Sequence, residues 1–201
     1  MPSPLHSDNP AVYLLLSGVL LFAPYGLHAS SSKLSDKDVQ AVEKTAIDSD
    51  EEEKQRQAIA VMLAEYEIEG RKLLDGLDGN ADRTGIDRQA GALLSSGEKI
   101  MDWARFRLKQ CDAYLEKALE LKAKISDITL EVLEKDYHHD GALPKAPPEC
   151  YHVKDTFVHP ATVLVLTRDD PELGEDTITG IRAEILEVLG HTEVVRQLVI
   201  Y

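Results

Sequence analysis

From Glu98 to Tyr137 the apolar residues fall at Met101, Ala104, Leu108, Cys111, Leu115, Ala118, Leu121, Ile125, Ile128 and Val132. Every step is three or four residues, the period of one helical face. The other face carries Arg105, Lys109, Asp112, Glu116, Glu120, Lys124, Asp127, Glu131 and Glu134. No proline interrupts the run, and no glycine follows Gly97. A helix of about 40 residues is about 60 Å long. Its stripe has to lie against a partner, because an isolated amphipathic helix gains little in water. Upstream, Ile86, Ala90 and Leu93 continue the stripe in phase, which predicts one rod over Thr84–Tyr137, with a bend at Ser95–Gly97 as its weakest point.

A second helical pattern runs through Ile59, Met62, Leu63, Tyr66, Leu73 and Leu77. Before it, Asp48–Gln57 has no apolar residue. Ser49 or Asp50 as a cap, with Glu51–Glu53 in the first turn, opposes the positive end of the helix dipole. An acidic docking patch is the functional alternative for the same residues. Val39, Val42 and Ala46 space a short separate helix. Asp75–Asp87 is rich in Gly and Asp and reads as a turn. A link this short makes the helices on either side antiparallel neighbours. The mean step near 3.5 predicts a shallow, coiled-coil-like crossing.

Asp140–Glu149 contains three prolines and predicts a stiff, extended connector. Beyond it, Val163–Leu166 is a continuous apolar run, read as a buried strand or as a buried helix with Pro160 in its first turn. Thr177–Leu189 is an amphipathic helix stopped by Gly190. Val194–Tyr201 is rich in β-branched residues. The tail is therefore either all-helical or strand–helix–strand.

Ala11–Leu27 is almost wholly apolar and carries no charge, and Pro24 and Gly26 break it before Ala29. This reads as a secretory signal cleaved after Ala29, although no Lys or Arg precedes it and Leu27 stands where a small residue is usual. An uncleaved N-terminal anchor and a buried structural helix are the alternatives. The expected organisation is a leader over 1–29, a linker and short helix over 30–49, a helical hairpin over 50–141, and a connector and C-terminal element over 142–201. Export leads to a periplasmic or secreted location. In an oxidising compartment the two cysteines, Cys111 and Cys150, form a disulfide.

The net charge of −14 repels phosphate backbones and so excludes nucleic-acid binding as a main activity. Anionic membranes are disfavoured for the same reason, leaving membrane association only to an uncleaved anchor. Aromatic residues are only 5% of the chain, so the core has to be built from Leu, Ile, Val and Ala. Trp103, Phe106 and Tyr114 flank the stripe and are expected to pack at its edge, or to anchor a partner.

Two clusters have metal-ligand chemistry. Asp78, Asn80 and Asp82 place oxygen donors at alternate positions and resemble the first half of an EF-hand calcium loop. Arg83 and Gln89 depart from that loop where it needs glycine and a bidentate glutamate. Four histidines, His138, His139, His152 and His159, lie within 22 residues. Imidazoles suit zinc or copper. Adjacent histidines at a helix C-terminus also serve the helix dipole without a metal. No hydrolase, phosphate-loop or dinucleotide motif is present, so no residue is nominated as catalytic. The composite expectation is a mainly α protein built on a long antiparallel helical hairpin with a small C-terminal helical or α+β element. Its expected function is non-enzymatic binding in the cell envelope, with a protein partner or self-association through the helices. The alternative is a metal-binding envelope protein, with calcium at the Asp78 loop or zinc or copper at the histidines.

Overall fold

Six α-helices and no strand make up the regular structure of the computed structural model, which describes residues 36–79 and 82–200. The expected leader over 1–29 and the linker residues 30–35 lie outside the described residues, as does Asn80. By its contacts the chain divides into two units, Met1–Ala41 and Val42–Tyr201. The helices are α1 (Asp36–Asp78), α2 (Arg83–Arg107), α3 (Asp112–Leu119), α4 (Leu130–Leu133), α5 (Glu149–Asp169) and α6 (Glu175–Ile200). None of them is long and apolar enough to cross a membrane.

Cross-helix contacts set the directions. α1 ends at Asp78 and α2 begins at Arg83, and Arg107 at the far end of α2 pairs with Glu52 of α1 at 2.5 Å. That is the antiparallel hairpin the sequence implied. The α5 residues Thr156 and Thr167 lie against Gly97 and Asp87 of α2, so α5 runs antiparallel to α2. His152 opposite His191 and His159 opposite Glu184 make α6 antiparallel to α5. Arg182 on Asp78 and Arg196 on Glu67 close α6 against α1. The result is an up-down-up-down bundle of α1, α2, α5 and α6.

The chain between α2 and α5 is an insert that runs out along α5 and back. Cys111 is bonded to Cys150 at the start of α5. At the other end, the Arg168 guanidinium donates to the carbonyls of Ile125 and Ile128 at 2.6 and 2.7 Å. The insert then returns to Lys154. With α2, α6 and the insert around it, α5 is buried at every residue from Val153 to Val163. A helix covered on all sides has no solvent-facing stripe to mark its period. This is why the apolar run Val163–Leu166 left strand and helix open in the sequence; it is helix, and so is Val194–Ile200.

The single rod over Thr84–Tyr137 is not found. α2 ends at Arg107, and short α and 3-10 turns follow to Ala123. The chain breaks again before Thr129, whose hydroxyl accepts from Val132 N–H to open α4. Length explains the difference. A 54-residue rod is about 80 Å long, whereas the 21 residues of α5 offer about 30 Å of partner. Burying the whole stripe requires the rod to fold back. The stripe itself survives to Leu121, because Leu115, Ala118 and Leu121 are all buried. After the second break its phase slips by one, burying Leu133 and leaving Val132 42% exposed. Of the flanking aromatics, Tyr114 is buried, Trp103 half-buried and Phe106 exposed.

Three other boundaries differ. α1 continues through Ser49 and Asp50 rather than starting there. Asp48–Gln57 is thus mid-helix, held by pairs such as Gln55–Glu51 and Arg56–Glu53. Gly190 does not stop α6; burial of Val188, Thr192 and Val195 outweighs the roughly 1 kcal/mol helix penalty of glycine. Pro160 lies in the middle of α5, not in its first turn.

Pro160 has a structural consequence. It has no N–H for the carbonyl of Thr156, four residues earlier. The buried hydroxyl of Tyr66 in α1 donates to that carbonyl at 2.7 Å. Burial, and then the nearby Asp155 carboxylate, push the Tyr66 phenol well above its usual range, so it stays a donor. Tyr66→Phe should therefore lower stability by about 1–3 kcal/mol, the cost of stranding a buried carbonyl; urea unfolding of the two proteins measures it. α2 also passes close to the same carbonyl. A Cβ on Gly97 would lie 2.1 Å from Thr156 O. Gly97 is therefore a contact point inside a continuous helix, not a bend. Gly97→Ala should cost about 3 kcal/mol through forced separation of the two helices. A variant melting within a degree of the parent would refute that.

Candidate metal centre

On α5, His152, Asp155 and His159 are spaced i, i+3, i+7, so they share one face. On α6, Glu184, Glu187 and His191 repeat the same spacing. Because the helices are antiparallel, the two faces meet with opposite ends matched. The insert supplies the third wall. Glu134–His138 is a π-helical turn, closed by the N–H of His139 on the Glu134 carbonyl at 2.8 Å. Its C-terminal carbonyls have no further helix to satisfy them. Lys154, 1% exposed, caps them from α5: its ammonium donates to the carbonyls of Tyr137 and His138 at 2.9 and 2.7 Å. It also donates to Asp140 at 3.0 Å, and Asp140 accepts from the Tyr114 hydroxyl at 2.6 Å. Burial first, then that carboxylate, push the Tyr114 phenol far up. Asp140 itself has a φ of 62°, which turns the chain out of the π turn.

Five imidazoles are thereby set in file. His139 stacks on His138 at 5.1 Å between ring centres, and His138 meets His159 edge-on at 4.8 Å. His159 lies 5.4 Å from His191, and His191 4.9 Å from His152. Carboxylates fix two of the rings. His159 Nδ1 donates to Glu184 at 2.7 Å, and His138 Nδ1 to Glu134 at 2.7 Å. The Glu134 hydrogen bond holds the His138 imidazole above its ordinary range, and the same bond lowers the Glu134 carboxyl. Burial lowers His191 despite the opposing charge of Asp155, which favours the neutral ring.

His159 is fully buried, and its Nε2 has no hydrogen-bond partner. With Nδ1–H committed to Glu184, the neutral ring carries its lone pair at Nε2. This is the arrangement by which a carboxylate orients a histidine for a metal. Three sets of side chains hold donor atoms within 4.8 Å of one another: His138, His159 and Glu187; Asp155, His159 and His191; and Glu134, His138 and His139. Two of the three include His159. Imidazole nitrogen with carboxylate oxygen is a donor set for zinc or copper. Asp155 Oδ1 lies 3.0 Å from Lys154 Nζ but off the hydrogen-bonding directions, so that contact is a charge contact alone.

The four histidines singled out in the sequence, His138, His139, His152 and His159, are brought into this one cluster. Cys150 is not available to it, being bonded to Cys111. Asp78 and Asp82 are used elsewhere. Asp78 pairs with Arg182 at 2.7 Å, and Asp82 caps α2 by accepting from Gly85 N–H at 2.7 Å. The sequence reading missed Glu134, Asp155, Glu184, Glu187 and His191. Its available signal was the matched i, i+3, i+7 spacing of metal-ligating residues on α5 and α6, which separate inspection of each histidine overlooks.

No protein-family model, curated protein or solved structure matches the chain. The reading of the cluster therefore rests on its chemistry.

Proposed function

We propose that this is an exported metal-binding protein of the cell envelope, periplasmic or secreted, whose helical bundle holds a divalent transition-metal ion, zinc or copper, between α5, α6 and the π turn. The observation that carries the reading is the buried Nε2 of His159. It is oriented by Glu184, has no partner, and sits in a residue that shares two three-donor sets. An unpaired polar atom in a dry interior is costly, and a metal ion satisfies it. This takes up the alternative of a metal-binding envelope protein in place of the partner-binding protein expected first. Export is supported by the leader-like segment over 11–27 and by the Cys111–Cys150 disulfide. Intact mass of the secreted protein tests it, by showing cleavage after Ala29.

Chelator-stripped protein should release heat with Zn(II) or Cu(II) and not with Ca(II). At about 100 times Kd the ion should stabilise the fold by about 2.7 kcal/mol, raising the melting temperature by about 5–10 °C. His159→Ala should weaken binding about 100-fold or more, since it removes the oriented nitrogen. Calorimetry that finds neither heat nor a melting shift with either transition metal would end the proposal.

A further inference from the structure

A recess of about 210 Å³ opens at the α5–α6 seam, lined by His152, Glu187, Gly190, His191 and Val194. Glu187 and His191 also belong to the three-donor sets around His159. The recess is thus lined in part by the inner ligands themselves. His152 belongs to none of those sets, yet its Nδ1 lies 2.8 Å from His191 Nδ1. Two such nitrogens share a single proton, so one of them presents a lone pair. A tetrahedral ion bonded to both at about 2.0–2.1 Å would hold them about 3.3 Å apart. The pair is therefore about half an ångström from a two-nitrogen chelate.

We propose that the His152–His191 pair is a second, outer metal position through which a divalent ion such as Zn(II) enters and leaves the inner set. This rests on the reading that the inner set holds the ion. The ion takes the lone pairs of both Nδ1 atoms; the ring that carried the shared proton gives it up to solvent through the recess and takes one back at Nε2, so both rings stay neutral. His191 Nδ1, which faces His152, also lies 3.5 Å from Asp155 Oδ2. The same imidazole serves both positions. The ion gains Asp155 and His159 as it loses His152, and is never without a protein ligand.

Gly190 supports this role for the recess. It has no positive φ, and a Cβ placed on it meets no atom within 4 Å. Neither backbone conformation nor packing calls for glycine there, in the interior of a helix that glycine weakens. What its missing side chain does is leave the recess open.

The test is stopped-flow uptake of Zn(II) by the stripped full chain, with release read by transfer to a chelating dye, in wild type, His152→Ala and Gly190→Leu. Both variants should bind and release the ion about tenfold more slowly, with Kd moved less than about threefold. An equal fall in both rate constants marks a port, because a route speeds the two directions alike. Gly190→Leu favours the helix, so it carries the test if His152→Ala fails to fold by circular dichroism. Rates unchanged by both substitutions would overturn the proposal. Release that quickens in His152→Ala while uptake stays constant would do so too, since His152 would then be an ordinary inner ligand. A wild type that takes up no ion removes the inner site as well, whereas a wild type that binds with rates indifferent to both substitutions removes the port alone.

Discussion

Replacing Lys154 with Met should destabilise the protein by about 3–5 kcal/mol, the usual cost of breaking a buried charge pair on one side. Methionine keeps the volume of the lysine stem, so the loss will report charge and hydrogen bonding rather than a cavity. Lys154 is 1% exposed and donates to Tyr137 O, His138 O and Asp140. Its removal strands two carbonyls and leaves Asp140 and the buried Asp155 without a neighbouring cation. The π turn that presents His138 and His139 would lose its cap on α5. Urea unfolding should show a lower midpoint with an unchanged slope. A second expectation ties this to the metal: saturating Zn(II) should recover part of the loss, because a divalent ion beside Asp155 replaces the missing positive charge. A loss under about 1 kcal/mol would show that solvent reaches the ammonium after all.

Opening the Cys111–Cys150 bond should cost about 4 kcal/mol. The two residues are 39 apart, and closing a loop of that length restricts the unfolded chain by about this amount in the chain-entropy model. For a chain of this size the melting temperature should fall by about 10 °C. The double variant Cys111→Ser, Cys150→Ser and the reduced wild type should agree within about 1 kcal/mol, apart from the hydroxyls that serine buries at two fully covered positions. The insert should loosen first where the bond held it, while the Arg168 clamp on Ile125 and Ile128 keeps its far end on α5. Hydrogen exchange on the oxidised and reduced forms reads this directly. Identical unfolding midpoints for the two forms would contradict the prediction.

Helical class and pairing were legible because they follow from spacing along the chain. Leu63, Tyr66 and Leu73 on α1, and Ile86, Ala90 and Leu93 on α2, lie buried as their period required. The short Gly- and Asp-rich link between the two patterns, Asp75–Asp87, then left no choice but an antiparallel hairpin. The end of α2 at Arg107 was not legible. Turns of α and 3-10 helix keep steps of three and four while the axis changes direction, so periodicity cannot see a corner. Nor was the course of α5, whose complete burial erases the contrast between faces.

The candidate site divides along the same line. Its richest part, four histidines within 22 residues, stood out in the sequence, as did the two cysteines that pair. His191 and Glu184 lie more than 20 residues further on, and only the antiparallel docking of α6 on α5 sets them beside His152 and His159. By itself the chain determined which residues prefer helix and which faces avoid water, since both are properties of neighbours three and four apart. Tertiary packing alone decided where the long stripe folds back and which imidazole is left dry and unpaired. Those outcomes depend on how much partner surface is available, and on which side chains meet across helices, quantities that no local spacing contains.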